Sequence, residues 1–310
     1  MLITEGRIEF TLQLPVQAQS ELFVADWERT AGPDEIIAVA EAADSSGFWA
    51  VAACEHIAVP PYRAVGMGTH WADPIATLSL VAGRTSKVKL MTYVYLLAAR
   101  HPLMAAKALS TLDHLSKGRL VAGVGAGHVE EEFDALGVDF ATRGTRLSHA
   151  IEALKACFTE ERPALLAPFD RRSGELGLRP RPVQQPRPPI LVAGSTEAAM
   201  KRAARYGDGW LPQGPATPAM IAYVNGARLQ WHPEDPLTIG HIGGIVHIGS
   251  PAHEVAQHVL TGSAASIAER LRANIPNGAH LIQVMFSVRS CAEFCDQVRA
   301  FGAEVAPLLH

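Results

Sequence analysis

Four short stretches of this 310-residue chain carry side chains whose types and spacing suit chemistry. Glu55-His56 sets a carboxylate beside an imidazole, the side chain best placed to exchange protons near neutral pH. His56 reads as a proton-transfer group or as a loop hydrogen-bonding residue, and Glu55 as its orienting partner or a loop anchor. Met91-Thr92-Tyr93-Val94-Tyr95 ends a β-type run with polar residues, and reads equally as core strand or as site. Gly123-Val124-Gly125-Ala126-Gly127-His128 has glycines that let a ligand or another strand approach the backbone. Ala193-Gly194-Ser195-Thr196 offers a small-residue turn and free N–H groups at a helix start, which suits a phosphate or an ordinary helix cap.

Other candidates fail on spacing. A dinucleotide fingerprint needs a third glycine where His128 stands, and Glu130, Glu131 and Glu132 follow at once. The histidines of His253-Glu254-Val255-Ala256-Gln257-His258 are five apart, too far round a helix to share a zinc ion, so the segment reads as a solvated helical surface. No G-x-S-x-G elbow or Walker loop occurs. Cys54, Cys157, Cys291 and Cys295 lack a disulfide-framework spacing, and no His or Cys stands at metal distance from them, so no metal site is expected.

Composition narrows the class. The chain is 48% hydrophobic and 19% charged, which excludes a disordered chain. A net charge of −4 argues against nucleic acid as a partner. No stretch is long and apolar enough to argue for a membrane span. Met1-Leu2-Ile3-Thr4-Glu5-Gly6-Arg7 lacks the pattern of a signal peptide, and a cytoplasmic location is expected.

The elements that must position these residues alternate along the chain. Strands are expected at residues 7–14, 48–54, 88–97, 120–124, 190–193, 209–212, 238–248 and 280–288. Helices are expected at 33–47, 74–84, 102–117, 145–159, 196–206, 218–230, 264–274 and 292–306. Alternating β and α demands a parallel sheet with helices outside, an α/β fold. Eight units in this length favour a (β/α)8 TIM barrel over a doubly wound open sheet. Residues 1–310 are read as one such domain. Residues 160–189, rich in Pro and Arg, form an insertion between the fourth helix and the fifth strand. A barrel puts its active groups where strands end, which is where the four stretches fall.

The order of motifs resembles the bacterial luciferase-like flavin or deazaflavin oxidoreductases. The resemblance rests on Ala42-Ala43-Asp44-Ser45-Ser46-Gly47-Phe48-Trp49 leading into Glu55-His56, and on His101-Pro102 through Leu112-Asp113-His114-Leu115-Ser116-Lys117-Gly118-Arg119 into Gly123-Val124-Gly125-Ala126-Gly127. It continues through Glu132-Phe133, Leu136-Gly137-Val138 and Arg143-Gly144, then Arg181-Pro182-Val183-Gln184, Pro188-Pro189-Ile190, Ala193-Gly194-Ser195 and Tyr206-Gly207-Asp208-Gly209-Trp210.

The resemblance implies a (β/α)8 barrel with an insertion that binds FMN or coenzyme F420 at its mouth and moves hydrides. It maps the cofactor phosphate onto Gly194 and Ser195. A strand-three bulge, often a cis peptide behind the tricyclic ring, maps onto Tyr93-Val94, with Thr92 and Tyr95 flanking it and Gly125 and Gly127 in the same cofactor-binding set. His56 matches the histidine beside the reacting carbon. Glu55 replaces an aspartate of many relatives, and His128 stands where some carry a glutamate and others an aromatic. An acidic cofactor tail would meet Arg143, Arg146 or an arginine of the insertion, and the 55–72 loop is long enough for a lid. F420-dependent hydride transfer to or from a small organic substrate is the expected activity. The alternatives are an FMN-dependent monooxygenase served by a partner flavin reductase and a non-catalytic flavin-binding protein. Relatives of this kind are commonly homodimers.

Overall fold

The computed structural model describes residues 2–4, 6–18, 20 and 24–310, so Met1 and Glu5 of the N-terminal stretch lie outside the described residues. In chain order the elements are β1 (Glu9–Gln13), α1 (Pro33–Ser45), β2 (Ala50–Ala53), α2 (Pro61–Met67), α3 (Pro74–Ala82), β3 (Lys89–Thr92), α4 (Pro102–Leu115), β4 (Leu120–Val124), α5 (Glu130–Ala135) and α6 (Arg143–Thr159). They continue with β5 (Ile190–Ala193), α7 (Glu197–Tyr206), β6 (Gly209–Leu211), α8 (Pro218–Leu229), β7 (Thr238–Ile248), β8 (Leu260–Gly262), α9 (Ala264–Asn274), β9 (Leu281–Phe286) and α10 (Cys291–Ala300).

Strands β1 to β7 pair in sequence and all in parallel, and β9 closes the ring between β7 and β1. The result is a closed eight-stranded TIM barrel, with β8 pairing only to the far end of β7. Side chains alternate across each strand. Ala50, Ala52, Met91, Val121, Leu191, Leu211 and Leu281 pack together inside the cylinder with Ile3. Val51, Leu90, Leu120, Ala122, Ile190, Val192 and Trp210 belong to the larger cluster that unites strands and helices. Each Val, Leu, Ile or Met among them contributes roughly 1.5–3 kcal/mol on burial. The inside has little room: a Cβ on Gly123 would fall 2.0 Å from the Thr92 carbonyl oxygen, so the strand tolerates only glycine there.

Proline occupies the first turn of α1, α2, α3, α4 and α8, where its missing N–H costs nothing. At the lower face, carboxylates tie loops to the barrel. Asp44 accepts the backbone N–H groups of Ser86, Lys87 and Val88, Asp113 those of Val183 and Gln184, and Asp208 that of Ile190. Several motif residues therefore build the scaffold rather than the mouth.

Three expectations need correction. The third strand stops at Thr92 instead of Leu97. Beyond it the chain bulges and rejoins β4 at a single bridge, Tyr95 to Val124, where Tyr95 N–H donates to the Gly123 carbonyl. Residues 253–258 are exposed or half-buried as expected but form no helix, since nothing caps the run and no apolar face recurs along it. The last helix ends at Ala300 and gives way to a wider π turn over Phe301–Val305. Residues 160–189 contain no helix or strand and are anchored by buried Leu165, Phe169 and Leu178. No helix among the described residues is long and apolar enough to cross a membrane.

Candidate active site

The C-terminal rim of the barrel gathers the predicted residues into two halves. One half begins where β2 ends. His56 turns its Nδ1 towards Glu132, 3.2 and 3.3 Å from the two carboxylate oxygens, and its side chain keeps 12% of its surface exposed. Glu132 is the third acid of the Glu130-Glu131-Glu132 run and is 1% exposed. Its Oε1 also accepts the N–H groups of Ile57 at 2.6 Å and Ala58 at 3.2 Å. Burial pushes this carboxyl upward, but the hydrogen bonds from His56, Ile57 and Ala58 outweigh it and hold the pKa below the usual glutamate range.

Two rings enclose the imidazole. Trp71 stands edge-on with centroids 4.6 Å apart, and His128 with centroids 5.2 Å apart. The Trp71 Nε1–H is buried without a partner. His128 lies exposed on the rim, its pKa held low by partial desolvation, then by His56 and Arg63. The 55–72 loop contains α2 and is fastened over this region by Tyr62, whose hydroxyl donates to Glu131 at 2.6 Å, and by Ala72 N–H, which donates to the Gln17 carbonyl at 2.7 Å.

Glu55 is not brought to the imidazole. Its carboxylate accepts Leu96 N–H at 2.7 Å and both terminal nitrogens of Arg100, at 2.8 and 2.5 Å. The Arg100 guanidinium also lies 4.3 Å from the centre of the Tyr95 ring. Tyr95 thus packs into the wall, and burial raises its phenol to about 12. Thr92 is fully buried and donates its hydroxyl to the Gly123 carbonyl.

The other half is built from the bulge after β3 and the turn after β5. The Tyr93–Val94 peptide is cis, as the resemblance implied, and the Tyr93 hydroxyl donates to the Pro212 carbonyl at 3.4 Å. Two glycines of the loop after β4 make room for neighbouring side chains. A Cβ on Gly125 would meet Val94 Cγ2 at 2.7 Å, and one on Gly127, where φ is +80°, would meet Leu96 Cδ1 at 2.5 Å and Phe133 at 2.7 Å. Gly194, with φ +123°, spends its N–H on the Leu211 carbonyl. The remaining anion donors are the N–H groups from Ser195 onward at the N-terminus of α7, with the Ser195 hydroxyl, which accepts Gln213 N–H at 2.8 Å. Arg143 and Arg146 are engaged elsewhere, donating to the Phe140 and Ala98 carbonyls.

Sequence reasoning missed a polar cup on β1, β2 and β9. Gln13 and Gln17 donate to the Cys54 thiol at 3.0 and 2.9 Å, and Gln283 donates to Gln13 at 3.4 Å. Burial raises the thiol to about 11, so it stays protonated. The Gln283 Oε1 is buried and has no donor. The inward alternation of β1 and β9 was the available signal, since a glutamine on an inward position near a strand end faces the mouth.

Comparison with known proteins gives the same outline. Residues 17–270 match the profile of a family described as luciferase-like monooxygenase. An uncharacterised protein of Mycobacterium tuberculosis strain H37Rv is 33% identical over 186 residues, covering 56% of this chain and 66% of that one. The F420-dependent hydroxymycolic acid dehydrogenase of the same organism is 32% identical over 212 residues, covering 67% of this chain and 57% of that one. The chain thus spans less than two thirds of the length of these curated relatives. In three dimensions the monooxygenase RslO1 from Streptomyces bottropensis superposes with a TM-score of 0.71 at 23% identity, covering 97% of this chain and 99% of that one. That likeness speaks for the fold.

Proposed function

Because the chain belongs to the luciferase-like monooxygenase family, whose flavin- and F420-dependent oxidoreductases share this barrel, we propose that it moves a hydride between coenzyme F420 and a small organic substrate. The observation that carries the reading is the His56–Glu132 pair at the barrel mouth. Glu132, held ionised by Ile57 and Ala58 N–H, accepts a hydrogen bond from Nδ1–H and so fixes the tautomer. Nε2 is then the nitrogen left to exchange a proton with substrate.

The residues present fit a tricyclic ring with a phosphorylated side chain. The bulge after β3 at Tyr93 and Val94 supplies a surface for the ring, and Ser195 with the start of α7 supplies phosphate donors. Buried Trp71 Nε1–H and Gln283 Oε1 offer an unused donor and an unused acceptor. When bound, the deazaflavin supplies a carbon that accepts or returns a hydride. The protein's part is to hold the substrate carbon against it, keep water out, and manage one proton. In the oxidative direction the substrate hydroxyl gives its proton to His56 Nε2 as its carbon gives up the hydride; in the reductive direction the imidazolium returns it.

Titration with each cofactor, followed by fluorescence, tests the choice. The expected result is tight binding of F420 and weak binding of FMN. Tight FMN binding without F420 binding overturns the reading in favour of FMN-dependent monooxygenation with a partner reductase. Binding without turnover across alcohols, carbonyls and enones overturns it in favour of a non-catalytic protein.

A further inference from the structure

The inner face of the barrel changes character just below the mouth. On β9, Leu281 packs into the apolar interior with Ala50, Ala52 and Met91, and the next inward position is Gln283, which is 6% exposed. Gln283 stands in register with Thr11 of β1 and Ile242 of β7. One inward step higher on β1, Gln13 ends the strand, and Cys54 stands at the exit of β2, two residues before His56. Gln17 lies where the chain leaving β1 meets the segment that carries Trp71: Ala18 bridges Trp71, and the Gln17 carbonyl accepts Ala72 N–H. Three amides and a thiol therefore line the His56 side of the mouth, on strands other than those that carry the Tyr93–Val94 bulge and the start of α7.

Their hydrogen bonds run in one direction. Cys54 N–H donates to Gln17 Oε1 at 3.2 Å, which turns Gln17 Nε2 towards the thiol at 2.9 Å. Gln13 Nε2 donates to the same sulfur at 3.0 Å, which turns Gln13 Oε1 to receive Gln283 Nε2 at 3.4 Å. Turning the Gln283 amide over would set oxygen against oxygen. The chain ends at Gln283 Oε1, a buried acceptor to which no described residue donates. A buried carbonyl oxygen without a donor is costly, and a ligand that brings one recovers the cost. None of the four side chains is charged, since burial raises the Cys54 thiol to about 11, so an anionic group would find no counter-charge among them.

We propose that Gln283 Oε1 reads the substrate, accepting a hydrogen bond from a second, neutral donor, a hydroxyl or an amide N–H, on a molecule whose reacting oxygen meets His56. Gln13 and Gln17 are positioning residues that fix the amide through the Cys54 thiol. The proposal rests on the reading of the mouth as an oxidoreductase site and adds a substrate class to it: an uncharged molecule with two polar groups. A site built to bond a substrate hydroxyl rejects the analogue that lacks it, because the buried protein group is then left unpaired.

The probes that test this are cyclohexanones with one of three substituent pairs on a single ring carbon: two methyls, a methyl and a hydroxyl, or a methyl and a methoxy group. The pair is placed beside the carbonyl, one carbon further, or opposite it. The ketone oxygen supplies the group for His56. The tertiary hydroxyl has no hydride to give, so complexes with the oxidised cofactor do not turn over. Dissociation constants are measured by ligand-observed NMR on the protein loaded with whichever of F420 and FMN it binds. At one position or more, the hydroxyl form should bind about tenfold tighter than the dimethyl form. The methoxy form, which accepts but cannot donate, should gain nothing. In Gln283→Met the hydroxyl and dimethyl forms bind alike, and in Gln13→Met, which frees the amide to turn, the preference narrows. No preference for the hydroxyl at any position, or a methoxy form that binds as tightly, overturns the proposal on the parent protein alone, whether or not the variants fold. A preference that survives Gln283→Met overturns it too, and cofactor affinity lost in that variant would then assign the amide to the ring. A protein that takes FMN rather than F420 and still prefers the hydroxyl loses the cofactor reading and keeps this one.

Discussion

Two buried glutamates flank the same strand end and do different work. Glu55 and Glu132 each accept backbone N–H groups and each grip one basic side chain. The partner of Glu55 is Arg100, a cation at every pH the protein meets, so the pair is a fixed brace between the end of β2 and the chain after the Tyr93–Val94 bulge. The partner of Glu132 is an imidazole, a group that, unlike a guanidinium, can give up or take a proton. One device therefore makes a strut in one place and a proton relay a residue away, and the basic partner decides which.

The comparison breaks most visibly at His56. His56→Ala should cut kcat about 10²-fold or more under the proposed mechanism, while F420 still binds, since the ring platform and phosphate cradle lie on β3 and β5. A near-native rate would remove the imidazole from the chemistry. Glu55→Ala should act instead on stability. It strands a cation that is 21% exposed, a cost of about 2–3 kcal/mol given partial access to water, or a fall of about 3–5 °C in Tm for a chain of this size. Calorimetry checks this, and a Tm within a degree of the parent would show that the brace carries no load.

The strut and the relay were not equally legible in the sequence. Bounds for β4, β5, β7 and α9 agree with the alternation and capping signals, because those segments bury themselves in the ordinary way. Helix α5 and strand β8 have six and three residues, too few for a period to emerge. Glu132 stood in the sequence only as part of the Glu132-Phe133 motif and of an acidic run, with no role given to it. Yet it sits three residues after fully buried Val129 and next to fully buried Phe133, so any helix that buries those two turns Glu132 inward as well. Gly125 and Gly127 left open whether a ligand or the chain itself approaches the backbone. Their glycine character answers to Val94, Leu96 and Phe133, and a close approach to the backbone by the chain itself leaves the same mark in a sequence as an approach by a ligand.

Glu132→Gln sharpens the contrast at smaller scale. The amide keeps the shape but no longer fixes the Nδ1–H tautomer by charge, so kcat should fall about tenfold, less than on losing the imidazole. The loss should fall on kcat, with KM near the parent value, because the amide keeps the shape of the loop. An unchanged kcat would assign Glu132 to loop structure alone.

The smallest effect is the most discriminating, because the two carboxyls should pull stability in opposite directions with pH. Glu132 has a depressed pKa in the folded state. Its contribution is present above the unfolded glutamate value, about 4.3, and is lost as pH falls through the lower folded value. Burial raises Glu55 against the pull of Arg100 and Leu96 N–H. The folded state therefore binds its proton more tightly than the unfolded chain, and stability declines as pH rises from about 4.3 through the raised folded value. Urea melts of the parent, Glu55→Gln and Glu132→Gln across that acid range should show it. The parent's advantage over Glu132→Gln should grow with rising pH and then level off, whereas its advantage over Glu55→Gln should shrink. Parallel slopes would mean that the two carboxyls feel the same field, and that the division between strut and relay does not extend to their protons.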